Sequence, residues 1–162
     1  MLNHDAIYGD KFVLMTINIQ CISDSHLDDI WRIERAAHSH PWAESMIRDL
    51  NSRCAQHRVM LENDQVVGYF YAQNVVGEVT LLNIAIDPAY QRKGFGRKLT
   101  EFFIDMCMEQ NAESAWLEVR ESNVKAISLY ESEGFNEVTR RHDYYPTANG
   151  KEDAIIMSYI FF

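Results

Sequence analysis

Apolar and polar positions along this chain recur in blocks, and the period of each block predicts an element. In SDSHLDDIWRIERAAHSH, Leu27, Ile30, Trp31, Ile33 and Ala37 recur at helical spacing behind a cap signal at Ser23 or Ser25. Pro41 breaks that helix, and AESMIRDL reads as a second, shorter one. Three strand-like runs follow: HRVMLEN, QVVGYFYAQNV and EVTLLNIAID. Asn63-Asp64 and Val76-Gly77 supply turns between them, which predicts an antiparallel meander.

Asp87-Pro88 closes the third run. Beyond it, Phe95, Leu99, Phe102, Phe103, Met106 and Cys107 line one helical face. SAWLEVRE reads as a buried strand, and SNVKAISLYESEG as a short helix capped by Ser122 or Asn123 and stopped by Gly134. Two last strands, FNEVTRRHD and DAIIMSYIFF, flank a loop YYPTANGKE. Meander, helix, strand, helix, strand, strand predicts a mixed α/β sandwich on one central sheet. MTINIQCIS from Met15 reads as the first strand, so residues 1–14 are expected to be a mobile N-terminal extension, with Met15 as a candidate start, and 15–162 a single domain.

Composition narrows the partners. A chain of 162 residues with formal net charge -9 repels nucleic acid and anionic membrane, and attracts a basic peptide or an amine. Three separated cysteines, Cys21, Cys54 and Cys107, form no CxxC pair and point to free thiols in a reducing compartment. No apolar stretch suits a signal peptide or a membrane span, so a cytoplasmic location is expected. His38 and His40 have no third ligand nearby in sequence, and no metal is expected.

Against this acidic background QRKGFGRK gathers Arg92, Lys93, Arg97 and Lys98 around Gly94 and Gly96 at a helix start. Both glycines can take positive φ and let a ligand approach the backbone, while the first amides of the helix and its dipole favour an anion. The lysine and serine/threonine of a Walker loop are missing, and Leu99 stands where a dinucleotide fingerprint needs glycine. A diphosphate of another kind fits; so does a plain strand-to-helix turn with a solvated basic face.

Gln91-Arg92-Lys93-Gly94-Phe95-Gly96, preceded by NIAIDP, resembles the Q/R-x-x-G-x-G/A signature of the Gcn5-related N-acetyltransferases (GNAT). WLEVRESNVKAISLYESEGF, YYPTANGKEDAIIM and HSHPW are similar to stretches in the branch of that family that acts on the N-terminal alanine of small-subunit ribosomal protein eighteen. The likeness runs from about Met15 to Met157. It implies the GNAT acyl-CoA N-acyltransferase fold, with a mixed sheet of about seven strands and about four helices. It implies acetyl-CoA as co-substrate, with no metal. Ile84, Ala85 and Ile86 would meet the pantetheine arm through their backbone. Arg92, Lys93, Gly94, Phe95, Gly96 and Arg97 would hold the pyrophosphate, and Asn123 would contact the coenzyme beyond it.

The same resemblance makes Glu118 the general base, through water, and Tyr130 the general acid toward sulfur. It puts Trp42, Tyr144 and Tyr145 at the acceptor entrance. From spacing alone, Glu118 and Arg120 share a strand face and could form an ion pair, and Tyr130 could be only a core aromatic. The expected partner is the basic N-terminal segment of a ribosomal protein. Near pH 7 roughly a tenth of an α-amine is neutral, against less than about a thousandth of lysine, so a modest base suits an N-terminus. The alternatives are an acetyltransferase for other N-termini or small amines, and a non-catalytic module that senses acetyl-CoA.

Overall fold

In the computed structural model the backbone is described for residues 2–8 and 11–162, and side chains for 16–162. Among the described residues eight strands form one sheet: β1 Leu2–Tyr8, β2 Lys11–Cys21, β3 Arg58–Glu62, β4 Gln65–Val75, β5 Glu78–Ile86, β6 Ser114–Arg120, β7 Asn136–Pro146 and β8 Lys151–Ile160. Their spatial order is β1-β2-β3-β4-β5-β6-β8-β7. Only the β5–β6 pair is parallel; the others run antiparallel. The helices are α1 Leu27–Ala37, α2 Glu44–Arg48, α3 Phe95–Glu109 and α4 Val124–Glu133.

The sheet divides two apolar layers. Residues 66–72 of β4 are buried on both faces, which explains an uninterrupted apolar run where a half-exposed strand would alternate. On one side Phe70 meets Phe103 of α3 edge-on, with centroids 5.5 Å apart, in a core that includes Leu99, Cys107 and Phe135. Burial pushes the Cys107 thiol up to about 12, as suits a small core hydrophobe. On the other side Ile30 and Ile33 of α1 and Ile47 of α2 pack against Tyr69 and Tyr71. Asn63, Asp64, Val76 and Gly77 all have positive φ, so both hairpin turns fall where the sequence places them. Asn123 caps α4 by accepting from the Ala126 amide at 3.2 Å, and Gly134 ends it with φ 110°.

Three expectations change. The first strand of the domain begins at Lys11, not Met15, and a further strand, Leu2–Tyr8, pairs along it, making eight strands where about seven are expected. The 3₁₀ turn Asp24–His26 takes the Ser23 cap, so α1 itself starts at Leu27. Tyr144 and Tyr145 lie on β7 rather than in a loop, because β7 continues to Pro146 beside β8.

Gly68 lets β4 and β5 come close. A Cβ there would stand 2.6 Å from Ile86 Cδ1 and 2.8 Å from the Ala85 carbonyl oxygen. The backbone oxygen cannot turn aside as a side chain can. Gly68→Ala is therefore expected to lower unfolding stability by about 1–3 kcal/mol. Urea denaturation checks this, and an unchanged midpoint would show that the strands separate freely.

Candidate active site

The site begins where the sheet opens. β5 and β6 pair from Glu78–Ser114 to Leu81–Leu117 and then part. Leu82 is the extra residue of a bulge: Tyr71 pairs with Asn83, and Ala72 with Leu81. Past this kink Ile84, Ala85 and Ile86 stay hydrogen-bonded to β4, while their opposite edge faces a cleft instead of β6.

A cavity of about 600 Å³ occupies that cleft. Ile84, Ala85 and Ile86 form one wall, Arg92, Gly94, Phe95, Gly96 and Arg97 one end, and Asn123, Leu129 and Tyr130 the α4 side. Gly94 is the N-cap of α3 with φ 78°, and nothing lies within 4 Å of where its Cβ would be. Gly96 does not use positive φ, and a Cβ there would meet Leu129 and Ile86 only at ordinary contact distance. The second left-handed residue of the loop is Arg92, at φ 65°, which a non-glycine residue adopts only at a cost. Lys93 does not line the cavity, and its Nζ lies over the Tyr90 ring at 5.2 Å. Arg97 is tied to α4: it donates to Ser132 Oγ at 3.0 Å and pairs with Glu133. The loop is held from below by Asp87, which accepts from the Ala89 amide at 3.0 Å and from Arg32 of α1 at 3.1 Å.

A second cavity, about 330 Å³, lies on the other side of the opening. Trp42, Glu118, Arg120 and Tyr145 line it. The two cavities share His38, Ile84, Asn123 and Tyr130, so Tyr130 stands where they meet. Tyr130 packs edge-on against Phe135 and is 6% exposed; burial, with Tyr145 nearby, pushes its phenol up to about 12. Tyr130 is thus both a core aromatic and a cavity wall. Glu118 and Arg120 do not pair with each other. Glu118 meets Arg141 at 3.3 Å, and Arg120 meets Glu152 at 3.0 Å and lies over the Tyr145 ring at 4.5 Å. Burial and the negative charge of Glu118 push the Tyr145 phenol up to about 12 as well. Tyr144 is outside this cavity, 47% exposed, edge-on to Tyr145 with Arg141 over its ring.

The sequence reading missed a carboxylate. Glu34 is 1% exposed and lines the second cavity. It accepts from Tyr69 Oη at 2.5 Å, from the Trp42 amide at 3.2 Å and from Asn83 Nδ2 at 2.9 Å. These donors satisfy a charge that would otherwise be very costly to bury. The cue was present: Glu34 stands four residues after Ile30 and seven after Leu27, inside the apolar stripe of α1.

His38 Nε2 lies within hydrogen-bond distance of Asn83 Oδ1, at 3.0 Å. No group of three or more His, Cys, Asp or Glu able to hold a metal ion occurs among the described residues. No helix of the described residues is long and apolar enough to cross a membrane.

Comparison with known proteins agrees with this architecture. The Acetyltransferase (GNAT) family profile matches residues 27–135. The chain is 44% identical over 140 residues to the [ribosomal protein bS18]-alanine N-acetyltransferase of Salmonella typhimurium, covering 86% of this chain and 95% of that one. It is 43% identical over the same shares to the Escherichia coli K12 protein of that name. The crystal structure of the Escherichia coli ribosomal-protein-S18-alanine N-acetyltransferase superposes with a TM-score of 0.86 at 41% identity, covering 90% of this chain and 94% of that one. With a matching profile over two thirds of its length, close relatives along nearly their whole length, and a parted sheet beside a glycine-capped helix, the chain belongs to the GNAT family of acetyltransferases.

Proposed function

We propose that the protein transfers the acetyl group of acetyl-CoA to the N-terminal alanine α-amine of ribosomal protein bS18, in the cytoplasm. The observation that carries this reading is the meeting of two cavities at Tyr130. The larger suits a long, flexible thioester with a diphosphate at its far end. The smaller suits a narrow amine-bearing chain. The acceptor is inferred from the names of relatives 43–44% identical across 95% of their length.

The coenzyme would lie along the open edge of Ile84, Ala85 and Ile86, where backbone groups can bond the amides of its arm. Its pyrophosphate would sit on the first amides of α3, with Gly94 and Gly96 allowing close approach and Arg92 and Arg97 adding charge. Lys93 would contribute from the rim and Asn123 from α4. When bound, acetyl-CoA brings an already activated acyl group, so no covalent enzyme intermediate is needed. Glu118 would take the ammonium proton through water, and Tyr130 Oη would donate toward the sulfur. Trp42 and Tyr145 would flank the incoming chain, with Tyr144 outside.

Two carboxylates, Glu34 and Glu118, line this pocket against one guanidinium, that of Arg120, and this balance favours a peptide with Lys or Arg soon after its first residue. An alanine-starting basic peptide is expected to be acetylated on its α-amine and to release thiol from acetyl-CoA. The same peptide with a blocked N-terminus is expected to stay unmodified at its lysines. Rising salt should raise KM for the peptide more than it changes kcat. Peptide mass mapping with a salt series decides. Efficient lysine acetylation, equal rates for acidic and basic peptides, or turnover only with small amines would move the acceptor elsewhere in the family. Coenzyme binding without thiol release would make the protein a sensor.

A further inference from the structure

Converting an ammonium to an amide removes two protons from nitrogen, and the sulfur of the leaving group takes up only one. The proposed role of Glu118 accounts for the first deprotonation. The geometry points to His38 as a second proton acceptor, held by Glu34 and Asn83, which takes the proton shed by nitrogen as the C–N bond forms. This rests on the acetyltransferase reading above.

The hydrogen bonds fix the ring's tautomer. The Glu34 carboxylate can only accept, and Asn83 Nδ2 lies 2.9 Å from both of its oxygens. Asn83 must therefore turn its Oδ1 away from Glu34, toward His38 Nε2 at 3.0 Å. An amide oxygen cannot donate, so Nε2 carries the hydrogen and Nδ1 keeps the lone pair. Among the described residues Nδ1 has no hydrogen-bond partner, and the side chain is one-third exposed. Glu34 Oε2 lies 3.6 Å from Nε2 and would stabilise the imidazolium once Nδ1 gains a proton. A buried carboxylate behind one ring nitrogen, with the other left open, is the arrangement that makes imidazole an effective base.

Position separates its task from that of Glu118. Glu118 lines only the smaller cavity, whereas His38 lines both, as Tyr130 does. Glu118 is placed for the arriving ammonium and His38 for the point of attack. In that step the amine nitrogen bonds the thioester carbon, the carbonyl π pair moves to oxygen, and His38 Nδ1 takes a nitrogen proton. The carbonyl then re-forms and the C–S bond breaks; sulfur leaves as a thiolate that accepts a hydrogen bond from Tyr130 Oη. The imidazolium proton passes to water, and water supplies the one proton that the thiolate takes up. The charged and titratable groups lining the two cavities with His38 are Glu34 of α1, His40 after it, Glu118 and Arg120 of β6, Tyr130 of α4 and Tyr145 of β7, with Tyr90, Arg92 and Arg97 of the loop and first turn of α3 and Lys125 of α4 in the larger one.

His38→Gln and His38→Ala test this. Gln can still donate to Asn83 and Glu34 but cannot take a proton. Wild-type thiol release with an alanine-starting basic peptide tests the acetyltransferase reading itself, and the variants test His38, so the two fail separately. His38→Gln is expected to keep its melting temperature and acetyl-CoA affinity while kcat falls at least about tenfold. Added imidazole is expected to restore part of the turnover of His38→Ala. Turnover of His38→Gln within about twofold of wild type from about pH 6 to 9 would overturn the proposal. So would losses in both variants that imidazole leaves untouched, which would make the ring a packing residue.

Discussion

Tyr130→Phe is expected to lower kcat roughly a thousandfold while leaving acetyl-CoA affinity within about twofold. The ring fills core space against Phe135 and Phe would keep that contact, so the change isolates one hydroxyl. With the phenol pushed up to about 12 by burial, the group keeps its proton throughout the working range of the enzyme. Full transfer from a phenol at about 12 to a thiolate of ordinary basicity, about 8.5, is uphill by about 5 kcal/mol. On the proposed mechanism the hydroxyl would therefore act chiefly by donating a hydrogen bond as charge builds on sulfur, in a place too enclosed for bulk water to substitute. Stopped-flow turnover with calorimetric titration of acetyl-CoA separates the two quantities. A loss divided equally between affinity and kcat would reduce Tyr130 to a wall of the cleft.

Gly96→Val is expected to weaken acetyl-CoA binding roughly a hundredfold, about 2.8 kcal/mol. A Cβ at Gly96 meets Leu129 Cδ2 at 3.8 Å and Ile86 Cγ1 at 3.9 Å, both ordinary contacts, so Gly96→Ala should fold normally. The branches of Val reach further, into the cleft between the start of α3 and the open edge of β5. The alanine variant should fall between wild type and valine. Calorimetric titration of the three proteins, with melting temperatures alongside, gives the result. A folded valine variant with wild-type affinity would remove the first turn of α3 from the coenzyme site.

Much of this arrangement is legible in the chain because it is local. The turns at Asn63-Asp64 and Val76-Gly77, the doubly buried run of β4, and the Asn123 and Gly134 boundaries of α4 each depend on a few consecutive residues. The glycine loop is legible for the same reason, though not that Arg92 shares the left-handed conformation with Gly94. What stays hidden is assembled from distant segments. Glu34 meets Tyr69 and Asn83, 35 and 49 residues away, and without them it reads as one more helix charge. The bulge at Leu82 leaves no mark in EVTLLNIAID, because it arises from pairing with β4. Glu118 and Arg120 lie two apart on one strand, yet cross-strand neighbours supply their partners, since β7 and β8 bring Arg141 and Glu152 into reach.

The position of β8 has a consequence for the timing of folding. It is the last of the eight strands to leave the ribosome, yet it lies between β6 and β7 and makes every sheet contact that joins them. β1 to β5 can pair as neighbours while synthesis continues, and α3 can cover them. β7 has no place in the sheet until β8 arrives, and neither does Tyr145, which closes the smaller cavity opposite Glu118. The larger cavity can thus take shape on the growing chain, while the smaller one closes only after the final strand has emerged. On the proposed assignment of the two cavities, a newly made molecule would bind acetyl-CoA before it could hold the acceptor.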